Sequence, residues 1–208
     1  MATPDVIAID LLILDVNDVL YRYDPSRRIE VLADLTGTSP GAVRLAVFES
    51  GIEERSDAGE LSSEEYLAAI SARLGRPVDR NVWTRSFVDA TTPMSDAIDL
   101  VGQVRSRVDT VGLSNNGLIV KEQAEQLYPA LAGLDIELYV SAEFGAQKPD
   151  ADVYRGLCSR LDVEPARSAF VDDQPANAEG AMTAGLQGHR FTTVDALGDF
   201  LRTVGLAC

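Results

Sequence analysis

The 208-residue chain is 46% hydrophobic and 25% charged, the make-up of a soluble globule and not of a disordered chain, and its length suits one domain or one domain with a small insert. A net charge of −15 argues against a nucleic-acid surface or an anionic membrane, because phosphate binding needs clustered cations. The single histidine, His189, excludes a histidine-rich zinc site and HExxH chemistry, while Cys158 and Cys208 make no CxxC and no disulfide framework, which fits a reducing cytoplasm.

The opening MATPDVIAID lacks a basic n-region, so no leader is expected there. No apolar run approaches the ~20 residues of a membrane span. Ala8–Leu14 is a short apolar run ending at Asp15 and predicts a buried parallel strand. From Tyr21 to Thr92 the sequence shows helices and no clear strand. Ser39-Pro40 starts one helix and Gly51 stops it; Ser62 and Glu65 form a capping box ahead of Tyr66, Leu67, Ile70 and Leu74; Asp79–Ala90 carries Val82, Trp83, Phe87 and Val88. Beyond it, helical patterns over 96–107, 118–127, 152–161, 177–184 and 194–204 alternate with short runs. Those runs are Val108–Leu113, ending at Ser114; Ile136–Val140, ending at Ser141; Ser168–Val171, ending at Asp172; and Gln187–Phe191. Such alternation predicts an α/β fold, a doubly wound parallel sheet with an inserted helical cap.

In an open parallel sheet, ligands bind outside the carboxyl ends of the strands. The chain places Asp15 and Asn17, Ser114 and Asn115, and Asp172 and Asp173 there, with Lys148-Pro149 in a following loop. Singly, these are also ordinary turn and helix-capping residues or a solvated lysine. Adjacent carboxylates at the end of an apolar run repel each other, which a cation relieves.

Taken in order, these segments resemble the haloacid dehalogenase-like hydrolase superfamily over nearly the whole chain. Asp15-Val16-Asn17-Asp18-Val19-Leu20 looks like its first motif and Leu113-Ser114-Asn115 its second. Lys148-Pro149 looks like the third, and Val171-Asp172-Asp173-Gln174-Pro175-Ala176-Asn177 the fourth, with Ala181 and Gly185 continuing the pattern. The resemblance implies a core over 1–20 and 93–208 and a C1-type cap over 21–92. It implies Asp15 as nucleophile, forming an aspartyl-phosphate that water hydrolyses. It implies Mg²⁺ on Asp15, the Asn17 carbonyl and Asp172, with Asp173 nearby, and Ser114 and Asn115 at the phosphate. Lys148 would offset charge as a point cation. The expected partner is a small phosphorylated metabolite, with neither nucleic acid nor membrane.

The sequence departs from the family at Asn17, where the phosphatases carry an Asp that protonates the leaving group. An amide exchanges no proton near pH 7. Asp18 stands where the family usually has Gly and is one substitute. Three outcomes are open: a slow or specialised phosphatase, acid-independent chemistry such as diphosphate handling or halide displacement, or a ligand binder that kept the fold. Arg22, Tyr23, Phe48 and Glu49 are pocket candidates, against a plainer reading as cap packing or a solvated face. Trp83 reads as cap core, Cys158 as packing, and His189 has no catalytic role.

Overall fold

The computed structural model describes residues 8–206; the first seven residues, where a leader would stand, and Cys208 lie outside them. β1 (Leu11–Leu14) is buried at every position. β2 (Tyr21–Tyr23) follows, then α1 (Pro25–Thr36), α2 (Pro40–Val43) running on as a π-turn over Arg44–Phe48, α3 (Ile52–Asp57), α4 (Ser63–Leu74) and α5 (Arg80–Val88). β3 (Thr91–Pro93) pairs antiparallel with β2. This ribbon corrects the expectation of no strand between Tyr21 and Thr92: three residues are too few to display a period of two. The remainder is α6 (Ser95–Val104), β4 (Asp109–Ser114), α7 (Leu118–Glu122), α8 (Ala124–Leu127), α9 (Pro129–Gly133), β5 (Glu137–Val140), α10 (Ala151–Arg160), β6 (Ser168–Asp172), α11 (Pro175–Ala184), β7 (Gln187–Arg190) and α12 (Val194–Thr203).

Local chemistry explains the inserted helices. Ser62 and Glu65 close the capping box of α4, which ends at Gly75 in the left-handed region; Asp79 caps α5 through the Val82 N–H. α1 is an addition to the sequence reading. Asp24 caps it by accepting from the Ser26 and Arg27 N–H groups, and Pro25 occupies its first turn. Its buried stripe contains Arg28 beside Ile29, Val31, Leu32 and Ala33, and the charge interrupts the apolar period. The helix expected over 118–127 is broken at Gln123, which leaves the helical region (φ −107°, ψ 11°). Pro129 then keeps Tyr128 out of the helical region (φ −133°, ψ 62°) and starts α9.

The five core strands are all parallel, in the order β5-β4-β1-β6-β7. Alternation divides β1 between the faces. Leu11 and Ile13 join Val153, Tyr154, Leu157 and Phe170 under α10 and α11. Leu12 and Leu14 join Val101, Val120 and Leu197 on the other face, and that core runs without a break into Leu32, Val47, Ile70 and Phe87 of the inserted helices. β5 is an edge strand. Lys121 from α7 donates to the Leu138 carbonyl on it and to Glu137, with its ammonium 4.4 Å from the Tyr139 ring centre.

Candidate active site

β1 and β6 are paired in register, Leu14 opposite Val171, so Asp15 and Asp172 leave the sheet side by side, and the Asp15 N–H donates to the Val171 carbonyl at 2.8 Å. Lys148 closes the cluster. Its Nζ donates to Asp15 Oδ1 at 2.8 Å, to Asp172 Oδ2 at 2.7 Å and to the Leu113 carbonyl at 3.0 Å, which uses all three donors of an ammonium. The loop carrying it is fixed twice. Asn115 accepts from the Lys148 N–H and donates to the Lys148 carbonyl, both at 2.8 Å. Pro149 lies so close to α11 that a β-carbon at Gly180 would collide with its carbonyl.

Asp172 is fully buried. Its Oδ1 accepts from the Gln174 N–H at 2.9 Å and Asn177 Nδ2 at 3.0 Å, and its Oδ2 also takes Asn177 Nδ2 at 3.1 Å. Oxygens of Asp15, Asp172 and Asp173 lie within 4.8 Å of one another. Three carboxylates therefore face one ammonium. Burial pushes the Asp15 carboxyl up to about 7, with Lys148 opposing and Asp172 adding to the rise. Burial, then Asp172, also raises Asp173. For Lys148, burial works against the charge, but the two carboxylates outweigh it and hold its pKa above the usual lysine value.

The inserted helices meet this cluster along a seam. Ser141 Oγ donates to the Asp57 carbonyl at 2.7 Å, and Gln147 Nε2 to the Glu54 carbonyl at 3.1 Å. Gly59 (φ 76°) sits where a β-carbon would collide with the Ala142 carbonyl. Burial and the charge of Glu53 push the half-buried Asp57 carboxyl up to about 8, against Arg28.

Among the residues singled out from sequence, Asp15, Ser114, Asn115, Lys148, Asp172 and Asp173 come together. The Ser114 hydroxyl accepts from Asn116 Nδ2 at 2.8 Å. The Asn17 amide oxygen accepts from the Tyr128 hydroxyl at 3.1 Å. Asp18 is exposed with φ 59°, and its carboxylate accepts from the Tyr23 N–H at 3.4 Å. Arg22 and Glu49 are exposed, while Tyr23 stacks on Phe87 and Phe48 lies 5.4 Å below the Arg28 guanidinium. Trp83 and Cys158 are buried in packing, and His189 stacks on Phe200. Sequence reasoning gave Tyr128, Asn116 and Asp57 no place in the site region, and had Asn177 only as the end of the fourth motif. Only Asn177, five residues after Asp172, carries a local signal. A cavity of about 840 Å³ lies elsewhere, lined by the amino ends of β4 and β5 and by 121–126; none of the cluster borders it.

No family model matches the chain. It is 33% identical over 78 residues to the chloroplast flavin mononucleotide hydrolase 1 of Arabidopsis thaliana, a match covering 35% of this chain and 32% of that protein. It is 27% identical over 95 residues to the glyceraldehyde 3-phosphate phosphatase of Methanopyrus kandleri, covering 45% and 41%. The chain thus spans less than half the length of either curated relative. A predicted HAD-like family hydrolase from Porphyromonas gingivalis superposes with a TM-score of 0.77 at 19% identity, over 95% of this chain and 98% of that one. A HAD-family enzyme from Bacteroides thetaiotaomicron, solved in complex with magnesium and inorganic phosphate, gives 0.70 at 19% identity, over 89% and 95%. These likenesses show that the chain has the α/β fold of the HAD-like proteins. No described helix is long and apolar enough to cross a membrane.

Proposed function

We propose that this chain is a Mg²⁺-dependent, phosphatase-type hydrolase that moves the phosphoryl group of a small metabolite onto Asp15 and then onto water. The observation that carries the reading is the buried Lys148 bridging Asp15 and Asp172 at the carboxyl edge of the sheet. The phosphatase names of the two curated relatives and the magnesium and phosphate of the Bacteroides structure agree with it.

Asp15 would attack phosphorus through a carboxylate oxygen, forming an acyl phosphate that water then hydrolyses. Lys148 holds Oδ1 and offsets charge as a phosphate dianion approaches. The Ser114 hydroxyl, placed by Asn116, donates to a phosphoryl oxygen. Asn115 acts through Lys148, whose main chain it clamps. The residues present fit Mg²⁺, because the donors are all hard oxygens and carry a surplus of negative charge. Asp15, Asp172 and the Asn17 main-chain carbonyl would hold it, with Asp173 nearby. Asp172 also anchors Lys148. When bound, the ion would offset repulsion between nucleophile and substrate. We take 1–20 and 93–208 as the catalytic unit and 21–92 as a cap over it, in a reducing, cytoplasmic setting that suits the free thiol of Cys158.

The test is phosphate release from a panel of metabolite phosphates, with and without Mg²⁺, for the wild type and Asp15→Asn. Release that needs Mg²⁺ and vanishes in the variant supports the reading. Wild-type turnover in the variant overturns it.

A further inference from the structure

Tyr128 is fully buried, and its hydroxyl reaches Asn17 Oδ1 at 3.1 Å from 111 residues along the chain. A phenol hydrogen in a dry site needs an acceptor, and the amide oxygen supplies it. The bond fixes the amide: the oxygen is taken, and the NH₂ is the face left for a ligand. The Tyr128 ring is held from both sides. Tyr21 meets it edge-on at 5.0 Å, Phe87 of α5 does so at 6.1 Å, and the Tyr21 hydroxyl accepts from the Ala130 N–H at 2.8 Å. Two residues from the nucleophile stands a fixed, neutral donor backed by a phenol whose hydrogen is already committed to the amide.

Resting on the phosphoryl-transfer reading above, we propose that the Tyr128–Asn17 pair selects the leaving group: the site takes phosphoryl donors whose leaving oxygen departs as a stable anion, an acyl phosphate or a phosphoric anhydride, in preference to alkyl phosphates. In the first step an Asp15 oxygen bonds to phosphorus. The bond from phosphorus to the leaving oxygen breaks, and its electron pair stays on that oxygen as carboxylate or phosphate. An N–H of Asn17 stabilises this charge without giving up its proton. In the second step water bonds to phosphorus, the pair of the P–O(Asp15) bond returns to the carboxylate, and both water protons leave on dihydrogen phosphate. An alkoxide leaving group has no proton source in this scheme, a deficit that typically costs ~10²–10⁴-fold. Asn17 is the chemical group in contact with the leaving oxygen, and Tyr128 is a positioning residue behind it.

The experiment uses the full chain with Mg²⁺ and compares kcat/KM for acetyl phosphate, a graded series of aryl phosphates and glycerol phosphate. Intact mass after acetyl phosphate reads the phosphoryl group on the protein directly. The wild type should show a steep dependence on leaving-group basicity and a detectable phosphoryl adduct. Asn17→Asp should raise turnover of glycerol phosphate relative to acetyl phosphate ~10²-fold, flattening the leaving-group dependence. Tyr128→Phe should lower kcat on acetyl phosphate about tenfold, with KM and calorimetric Mg²⁺ affinity unchanged, because it frees the amide without touching substrate or metal. A flat leaving-group dependence in the wild type overturns the proposal and leaves the phosphatase reading standing. That result needs no variant. No adduct and no turnover with any donor overturns both.

Discussion

Two buried cations anchor two parts of this molecule, and they are neutralised differently. In the inserted helices, Arg28 donates to Glu53 at 2.9 Å, to the Tyr23 hydroxyl at 3.1 Å and to the Tyr66 hydroxyl at 3.3 Å, with Phe48, Trp83 and Phe87 around its guanidinium at 5.0–5.4 Å. One cation meets one close carboxylate, and Glu53 also takes the Tyr66 hydroxyl at 2.9 Å. At the sheet edge, Lys148 meets Asp15 and Asp172 with Asp173 beside them. The first cluster is balanced and enclosed by rings. The second carries surplus negative charge and favours another cation. A balanced buried pair holds helices together; an unbalanced one stores electrostatic free energy that ligand binding releases.

The largest effect that separates them is on chemistry. Asp15→Asn should lower phosphate release by on the order of 10⁴-fold or more, while the melting temperature stays level or rises, since one of three crowded charges is gone. A variant that unfolds instead would make Asp15 structural and erase the contrast.

Next come the cations themselves. Arg28→Met leaves the half-buried Glu53 without its partner and should cost ~3 kcal/mol in urea denaturation, with no recovery on adding Mg²⁺. Lys148→Met should also be destabilised in chelator, yet regain stability with Mg²⁺, because the carboxylates it abandons bind the ion. Equal rescue of both variants, or of neither, would collapse the distinction.

A smaller effect follows pH. The folded-state pKa of Asp15 is raised to about 7 and that of Asp57 to about 8, above their ordinary carboxyl value. The native state therefore keeps protons that the unfolded chain has released. Their stabilising contribution is complete below about pH 4 and is lost as pH rises through about 7 and 8. Each pH unit in that window should cost at most about 1.4 kcal/mol per group in metal-free protein. Saturating Mg²⁺ should flatten the part due to Asp15. Denaturation curves across this range, with and without the ion, check the sign; stability rising with pH there would contradict it.

The smallest is Trp83→Phe, which removes an indole N–H donated to the Tyr66 hydroxyl at 3.4 Å and should cost about 0.5–1.5 kcal/mol while leaving catalysis untouched. Calorimetric melting and phosphate release on the same sample measure both.

The two clusters also differ in how far the sequence exposes them. Asp15, Ser114 and Asp172 each end an apolar run, and the rule that ligands gather at the carboxyl ends of parallel strands is enough to collect them. Their individual bonds were not legible: that Asp172 spends both oxygens on Lys148, Gln174 and Asn177 is a matter of rotamers, which spacing does not encode. Arg28 was invisible because an arginine in a helix is ordinarily a solvated residue, and its presence hid α1 despite the Asp24-Pro25 start. Tyr128 reaches Asn17, and Asp57 reaches Ser141, by tertiary packing from distant segments with no motif of their own. The β2–β3 ribbon escaped because its partners lie some seventy residues apart and neither strand is long enough to show alternation.

Lys121 gives the sheet a property separate from the candidate site. An edge strand offers unpaired backbone groups to any passing chain, and β5 is short, buried on its faces and rich in apolar residues. By seating its ammonium on the Leu138 carbonyl, with Glu137 beside it and the Tyr139 ring beneath, Lys121 withdraws one acceptor from that edge and leaves a charge where a foreign strand would have to dock. A charge at a sheet edge works against pairing with a foreign strand.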